Sequence, residues 1–163
     1  MTNDAVDIQQ KHPTGRPRLV IADDDEIVRS MLAAQLRDLY ECVGAAADAT
    51  EAIALVTALH PDVVILDVKM PGGGAIRATH KIRDCSPETA IVILSVDETW
   101  GDLIDLLNAG AMTYLRKGMD EPTLAEDLEA AIAAHRGYAY GVAGAQDETR
   151  TGGPRGRRGF TAA

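Results

Sequence analysis

The sequence predicts a three-layered α/β fold, and three observations predict it. Short Val-, Ile- and Leu-rich runs occur without polar alternation, apolar residues between them recur every three or four positions, and the two patterns alternate along the chain. Runs that are apolar at every position suit strands of a parallel sheet buried on both faces. Strands that alternate with helices require right-handed crossovers, which place helices on each side of the sheet.

Met1 to Pro17 is polar and interrupted by Pro13, Gly15 and Pro17, so residues 1–17 read as a flexible lead-in. Leu19 to Ala22 forms the first predicted strand, and Ile27, Val28, Met31, Leu32 and Leu36 mark one face of the helix that follows. Tyr40 to Gly44 is a weaker second strand, followed by a helix carrying Ala52, Ile53, Val56 and Leu59. Val63 to Leu66 is the third strand, and Cys85 falls at the expected end of the helix after it. Ile91 to Leu94 is the fourth strand, with Leu103, Ile104 and Leu107 on the next helix; Trp100 and the Leu103–Leu107 face read first as helix packing and second as a partner surface. Met112 to Leu115 gives a weaker fifth strand. Asp120, Glu121 and Pro122 then open a last helix through Ala134, with Thr123 and Glu126 at capping-box spacing and Pro122 near the first turn. Beyond Arg136 the periodicity stops and 7 of 27 residues are Gly, so residues 137–163 are expected to be mostly disordered, leaving one domain over 18–136.

Bulk properties bound the function. The chain has 163 residues, enough for one well-buried core, with 46% apolar and 25% charged residues. No apolar run approaches the ~20 residues needed to span a bilayer, and the N-terminus has no apolar signal segment, so the protein is expected in the cytoplasm, off the membrane. Cys42 and Cys85 have no Cys or His neighbours that would complete a metal site and are expected to be core or near-core thiols. The net charge is −9, with 10 Lys/Arg against 21 Asp/Glu over residues 18–136. An acidic body argues against nucleic-acid binding, which depends on Lys and Arg neutralising phosphates.

In an open parallel sheet, ligands sit beyond the carboxyl ends of the strands. Asp23, Asp24 and Asp25 follow the first strand, Asp67 the third, Ser95 the fourth, and Lys117 comes two residues after Leu115 of the fifth. Carboxylates, a hydroxyl and an ammonium from four segments would therefore converge. Crowded carboxylates repel unless a cation lies among them, and an all-oxygen donor set favours Mg²⁺, with Mn²⁺ as the alternative. Such a site suits phosphoryl transfer to a carboxylate, with Lys117 and Ser95 stabilising the phosphoryl oxygens. Taken singly, each residue has an ordinary role, such as helix capping, and Asp25 is expected to do only that.

Val20-Ile21-Ala22-Asp23-Asp24-Asp25, Val64-Ile65-Leu66-Asp67-Val68-Lys69-Met70-Pro71, Ile93-Leu94-Ser95 and Gly110-Ala111-Met112-Thr113-Tyr114-Leu115-Arg116-Lys117 resemble the signature segments of response regulator receiver domains of two-component signalling. The resemblance covers about residues 18–136. It implies a flavodoxin-like sheet of five parallel strands in the order 2-1-3-4-5. It also implies Asp67 as phosphoacceptor, Asp24 as a direct Mg²⁺ ligand with Asp23 acting largely through water, and the Lys69 backbone carbonyl as a further ligand. Ser95 matches the switch hydroxyl, Tyr114 the switch aromatic and Lys117 the phosphate-binding lysine. Two positions depart from the commonest pattern: Gly118 stands where many receivers have proline, and Gly72-Gly73-Gly74-Ala75 suggests a more mobile loop beside the site.

The implied function is a switch that catalyses its own phosphorylation and dephosphorylation, and is not an enzyme acting on other substrates. Its phosphoryl donor would be a sensor histidine kinase or phosphotransfer protein. The face formed by the fourth helix, fifth strand and fifth helix would then engage an output partner or a second copy. The chain is expected to stand alone or to lack its output domain. A phosphatase of the same architecture is the competing reading, but the acidic cluster after the first strand is three consecutive aspartates and not the Asp-x-Asp nucleophile motif of such enzymes. Direct DNA binding through Arg150, Arg155, Arg157 and Arg158 has little support, because no helical pattern accompanies them.

Overall fold

The computed structural model describes residues 15–96 and 99–145, without the side chains of residues 121 and 138–145. Strands and helices alternate five times: β1 (Arg18–Ala22), α1 (Glu26–Leu36), β2 (Glu41–Ala46), α2 (Ala49–Leu59), β3 (Val63–Asp67), α3 (Gly74–Cys85), β4 (Ala90–Ser95), α4 (Trp100–Ala109), β5 (Thr113–Arg116) and α5 (Glu121–Ala145). The strands form one parallel sheet in the order β2-β1-β3-β4-β5.

The unalternating apolar runs have the predicted cause. Every residue of β3 and β4 is buried, because successive side chains point to opposite faces and both faces are covered. Leu19, Ile21, Val63, Ile65 and Val92 pack on one side with Leu32 and Leu36 of α1 and Leu124, Leu128 and Ile132 of α5. Val20, Ala22, Val64, Leu66, Ile91 and Ile93 pack on the other with Val56 of α2, Ala78 and Ile82 of α3, and Leu106 of α4. The buried face of α3 consists of Ala75, Ala78, Thr79 and Ile82. Only one of these is a large apolar residue, so its periodicity is faint in the sequence.

Helix starts are set by local chemistry. Asp25 caps α1 by accepting from the Ile27 N–H, as expected, and Asp48 caps α2 by accepting from the Glu51 N–H. Thr99 caps α4 through the Asp102 N–H, which leaves Ser95, buried at the end of β4, free of any capping duty.

Several expectations are corrected. The edge strands β2 and β5 begin one residue later than predicted, which leaves Tyr40 as a buried core residue after α1. Thr123 and Glu126 do not form an N-terminal capping box, because α5 already begins at Glu121 and the Leu124 N–H bonds to the Asp120 carbonyl. The helix also continues eleven residues beyond Ala134, to Ala145. Gly137, Gly141 and Gly144 each cost only about 1 kcal/mol in a helix interior, and alanines lie between them. Residues 146–163 and the lead-in up to Thr14 lie outside the described residues. Cys42 is exposed on edge strand β2 and not a core thiol, whereas Cys85 is half-buried, in keeping with a near-core position. No helix among the described residues is long and apolar enough to cross a membrane.

Candidate functional site

The carboxyl ends of β1, β3, β4 and β5 bring the predicted groups together. Asp67 is the last residue of β3 and Ser95 the last of β4; Asp23 and Lys117 directly follow β1 and β5. The backbone fixes these ends to one another: the Asp23 N–H donates to the Ala46 carbonyl, Val68 N–H to Leu94 O, and Lys117 N–H to Ser95 O at 2.8 Å.

Lys117 Nζ lies between two carboxylates, 2.7 Å from Asp23 Oδ2 and 2.8 Å from Asp67 Oδ1. The remaining oxygens are also tied. Asp23 Oδ1 accepts from the Asp25 N–H at 2.9 Å, and Asp67 Oδ2 accepts from the Lys69 N–H at 3.2 Å. Asp23 and Asp67 are buried, whereas Asp24 is exposed at the mouth of the site.

Burial raises the Asp67 pKa above the ordinary carboxylate value; the Lys117 ammonium opposes this, and the Asp23 and Asp24 charges add to it. For Lys117 the balance runs the other way. Burial disfavours its charge, but hydrogen bonds and charge from Asp23 and Asp67 prevail and hold its pKa above the usual lysine value.

Oxygens of Asp23, Asp24 and Asp67 lie within 4.8 Å of one another, the only such cluster of His, Cys, Asp or Glu among the described residues. Hard oxygen donors at this spacing, with no nitrogen or sulfur, fit a Mg²⁺-type ion. Mutual repulsion among the carboxylates gives the site a further preference for a cation.

Tyr114 is half-buried on β5, and its ring meets Trp100 of α4 edge to face. Leu103 and Leu106 of α4 face the core, while Trp100, Ile104 and Leu107 are exposed, so the helix is split between the two readings of its apolar residues. Gly118 adopts φ +87°, a conformation closed to the proline that many receivers carry there.

Two features escaped the sequence. Arg29 of α1 donates to the Asp23 carbonyl at 2.6 Å, a contact with no motif to announce it. The triple-glycine loop makes contacts that its composition does not announce. Gly72, Gly73 and Gly74 all have positive φ, at 80°, 97° and 63°, and the loop is closed by the Ala75 N–H on Val68 O and the Ala49 N–H on Pro71 O.

Comparison with known proteins follows the same geometry. Residues 19–129 match the family model of the response regulator receiver domain. The chain is 33% identical to response regulator GacA of Pseudomonas viridiflava over 73% of its own length and 56% of that protein. It is 37% identical to the transcriptional regulatory protein PdtaR of Mycobacterium tuberculosis over 73% of its length and 58% of that protein. It thus spans a little over half the length of these curated relatives. Among solved structures, a LuxR-family two-component response regulator from Aurantimonas sp. SI85-9A1 superposes with a TM-score of 0.68 at 33% identity, covering 73% of this chain and 86% of that one. A CheY-like receiver domain protein from Methanospirillum hungatei shares the fold, with a TM-score of 0.70 at 22% identity over 76% and 98% of the two chains.

Proposed function

Since the chain belongs to the response regulator receiver domain family of two-component systems, we propose that its switch is thrown by transfer of a phosphoryl group to Asp67. The donor is a phosphohistidine of a sensor histidine kinase or phosphotransfer protein. A carboxylate oxygen of Asp67 attacks phosphorus, the P–N bond breaks, and the imidazole leaves with the bonding pair and takes up a proton. The observation that carries this reading is the Lys117 ammonium, placed within 2.8 Å of Asp67 and 2.7 Å of Asp23. A cation there can follow the charge as it moves onto the phosphoryl oxygens.

Asp23, Asp24, Asp67 and the Lys69 carbonyl are the groups that would hold Mg²⁺, or Mn²⁺ in its place. The ion supplies charge neutralisation and alignment of the phosphoryl oxygens. Ser95 supplies a hydroxyl that donates to a phosphoryl oxygen. As Ser95 moves inward, Tyr114 follows, and the surface of α4, β5 and α5 changes shape. The exposed Trp100, Ile104 and Leu107 make this surface suited to an output protein or a second copy. Loss of the phosphoryl group to water at the same site resets the switch. We place this activity in the cytoplasm, with residues 18–136 as the receiver unit and no role assigned to DNA.

Mg²⁺-dependent labelling by acetyl phosphate tests the reading. Incorporation should vanish in Asp67→Asn and on chelation of the metal; label retained in full by that variant would refute the assignment of Asp67.

A further inference from the structure

The three glycines after Pro71 make three different close contacts. A Cβ on Gly72 would lie 3.2 Å from Thr50 Oγ1 and 3.3 Å from Thr50 N; on Gly73, 2.7 Å from Arg77 Cδ; on Gly74, 2.8 Å from the Val68 carbonyl oxygen. Gly73 therefore lets the Arg77 stem lie flat across the loop. From there Arg77 donates to the Gly72 carbonyl at 2.8 Å and to Thr50 Oγ1, at the start of α2, at 3.1 Å. One guanidinium thus joins α3, the loop and α2. The same loop begins at Val68 and Lys69, whose N–H is bonded to Asp67.

We propose that Arg77 is a positioning residue for the metal site: by tying Gly72 to Thr50 it fixes the loop that presents the Lys69 carbonyl to the ion. This rests on the reading of Asp23, Asp24, Asp67 and Lys69 as Mg²⁺ ligands. Three adjacent glycines lose much conformational freedom on ordering, so without the arginine the loop samples positions in which that carbonyl is misplaced. Arg77 never touches the ion or the phosphoryl group.

Calorimetric Mg²⁺ titration of the full chain, without phosphodonor, tests this. Loss of one or two net hydrogen bonds from the brace should weaken Mg²⁺ by about three- to tenfold in Arg77→Ala, with Arg77→Lys intermediate. Gly73→Ala, which displaces the stem and keeps the charge, should weaken it similarly. Labelling rate at saturating Mg²⁺ should stay within about twofold, and amide exchange at Ala49 and Ala75 should quicken even without metal. Coulomb attraction alone predicts the opposite sign, since removing a cation would tighten Mg²⁺. Unchanged or tighter affinity in Arg77→Ala, with normal binding by the unaltered chain, would overturn the inference alone. Absence of Asp67-dependent Mg²⁺ binding by the unaltered chain would instead remove the parent reading, and the inference with it.

Discussion

The rings of Trp100 and Tyr114 meet edge to face, with centroids 6.4 Å apart and planes at 86°. Trp100 is the only tryptophan in the chain, so its emission reports on the surroundings of this contact and on no other part of the fold. If Tyr114 turns inward when Asp67 is modified, the contact breaks. Beryllofluoride with Mg²⁺ should therefore shift the Trp100 emission, and the response should be largely lost in Tyr114→Ala and absent in Asp67→Asn. A full response in Tyr114→Ala would separate the tyrosine from the switch. Stacking of this kind at an exposed site contributes about 0.5 kcal/mol, small enough for the modification to overcome.

Asp67 should lower stability when no cation is present. Its folded-state pKa is raised, first by burial and then by Asp23 and Asp24, against the help of Lys117. A carboxyl whose pKa rises on folding binds its proton more tightly in the folded chain. Stability is therefore lost as pH climbs from the unfolded value of about 3.9 through the folded value. At neutral pH in chelator, Asp67→Asn should therefore be the more stable protein, with the higher Tm. Mg²⁺ should narrow the gap, and so should acid below the carboxylate range. Thermal melts of both proteins at pH 7 and pH 3.5 check the sign; a less stable Asp67→Asn in chelator would contradict it.

Fold and site were legible to different depths. The central strands β3 and β4 announce themselves because burial on both faces leaves a run of apolar residues, and Asp67 and Ser95 stand out because each terminates such a run, whereas Lys117 follows the mixed and weaker β5. Helix α3 is counted by alternation alone, since its contact face is mostly Ala and Thr. The end of α5 was missed because glycine suggests a break, although a helix tolerates it at modest cost. Arg77 and the glycine loop were unreadable for another reason: Gly72 is required by Thr50, distant in sequence, Gly73 by the Arg77 side chain lying over it and Gly74 by the Val68 carbonyl, and composition cannot tell a close crossing from a slack loop.

At the opposite end of the sheet, His135 of α5 sets an acid limit on stability. The ring is 5% exposed and its Nε2 lies 2.9 Å from the Pro87 carbonyl, to which it donates. Burial lowers its pKa and the nearby Arg83 charge lowers it further, against opposing pulls from the Pro87 and Glu88 carbonyls and the Glu88 carboxylate. The unfolded chain then takes up a proton near pH 6.5 that the folded chain refuses. Stability is complete above that value and falls as pH drops from there to the folded value, by at most about 1.4 kcal/mol per pH unit. Gln at this position can keep an N–H toward Pro87 and cannot titrate. Urea melts of the unaltered chain and His135→Gln between pH 7.5 and pH 5 should therefore show the slope in the first and a flatter profile in the second. Equal slopes would place the acid limit elsewhere.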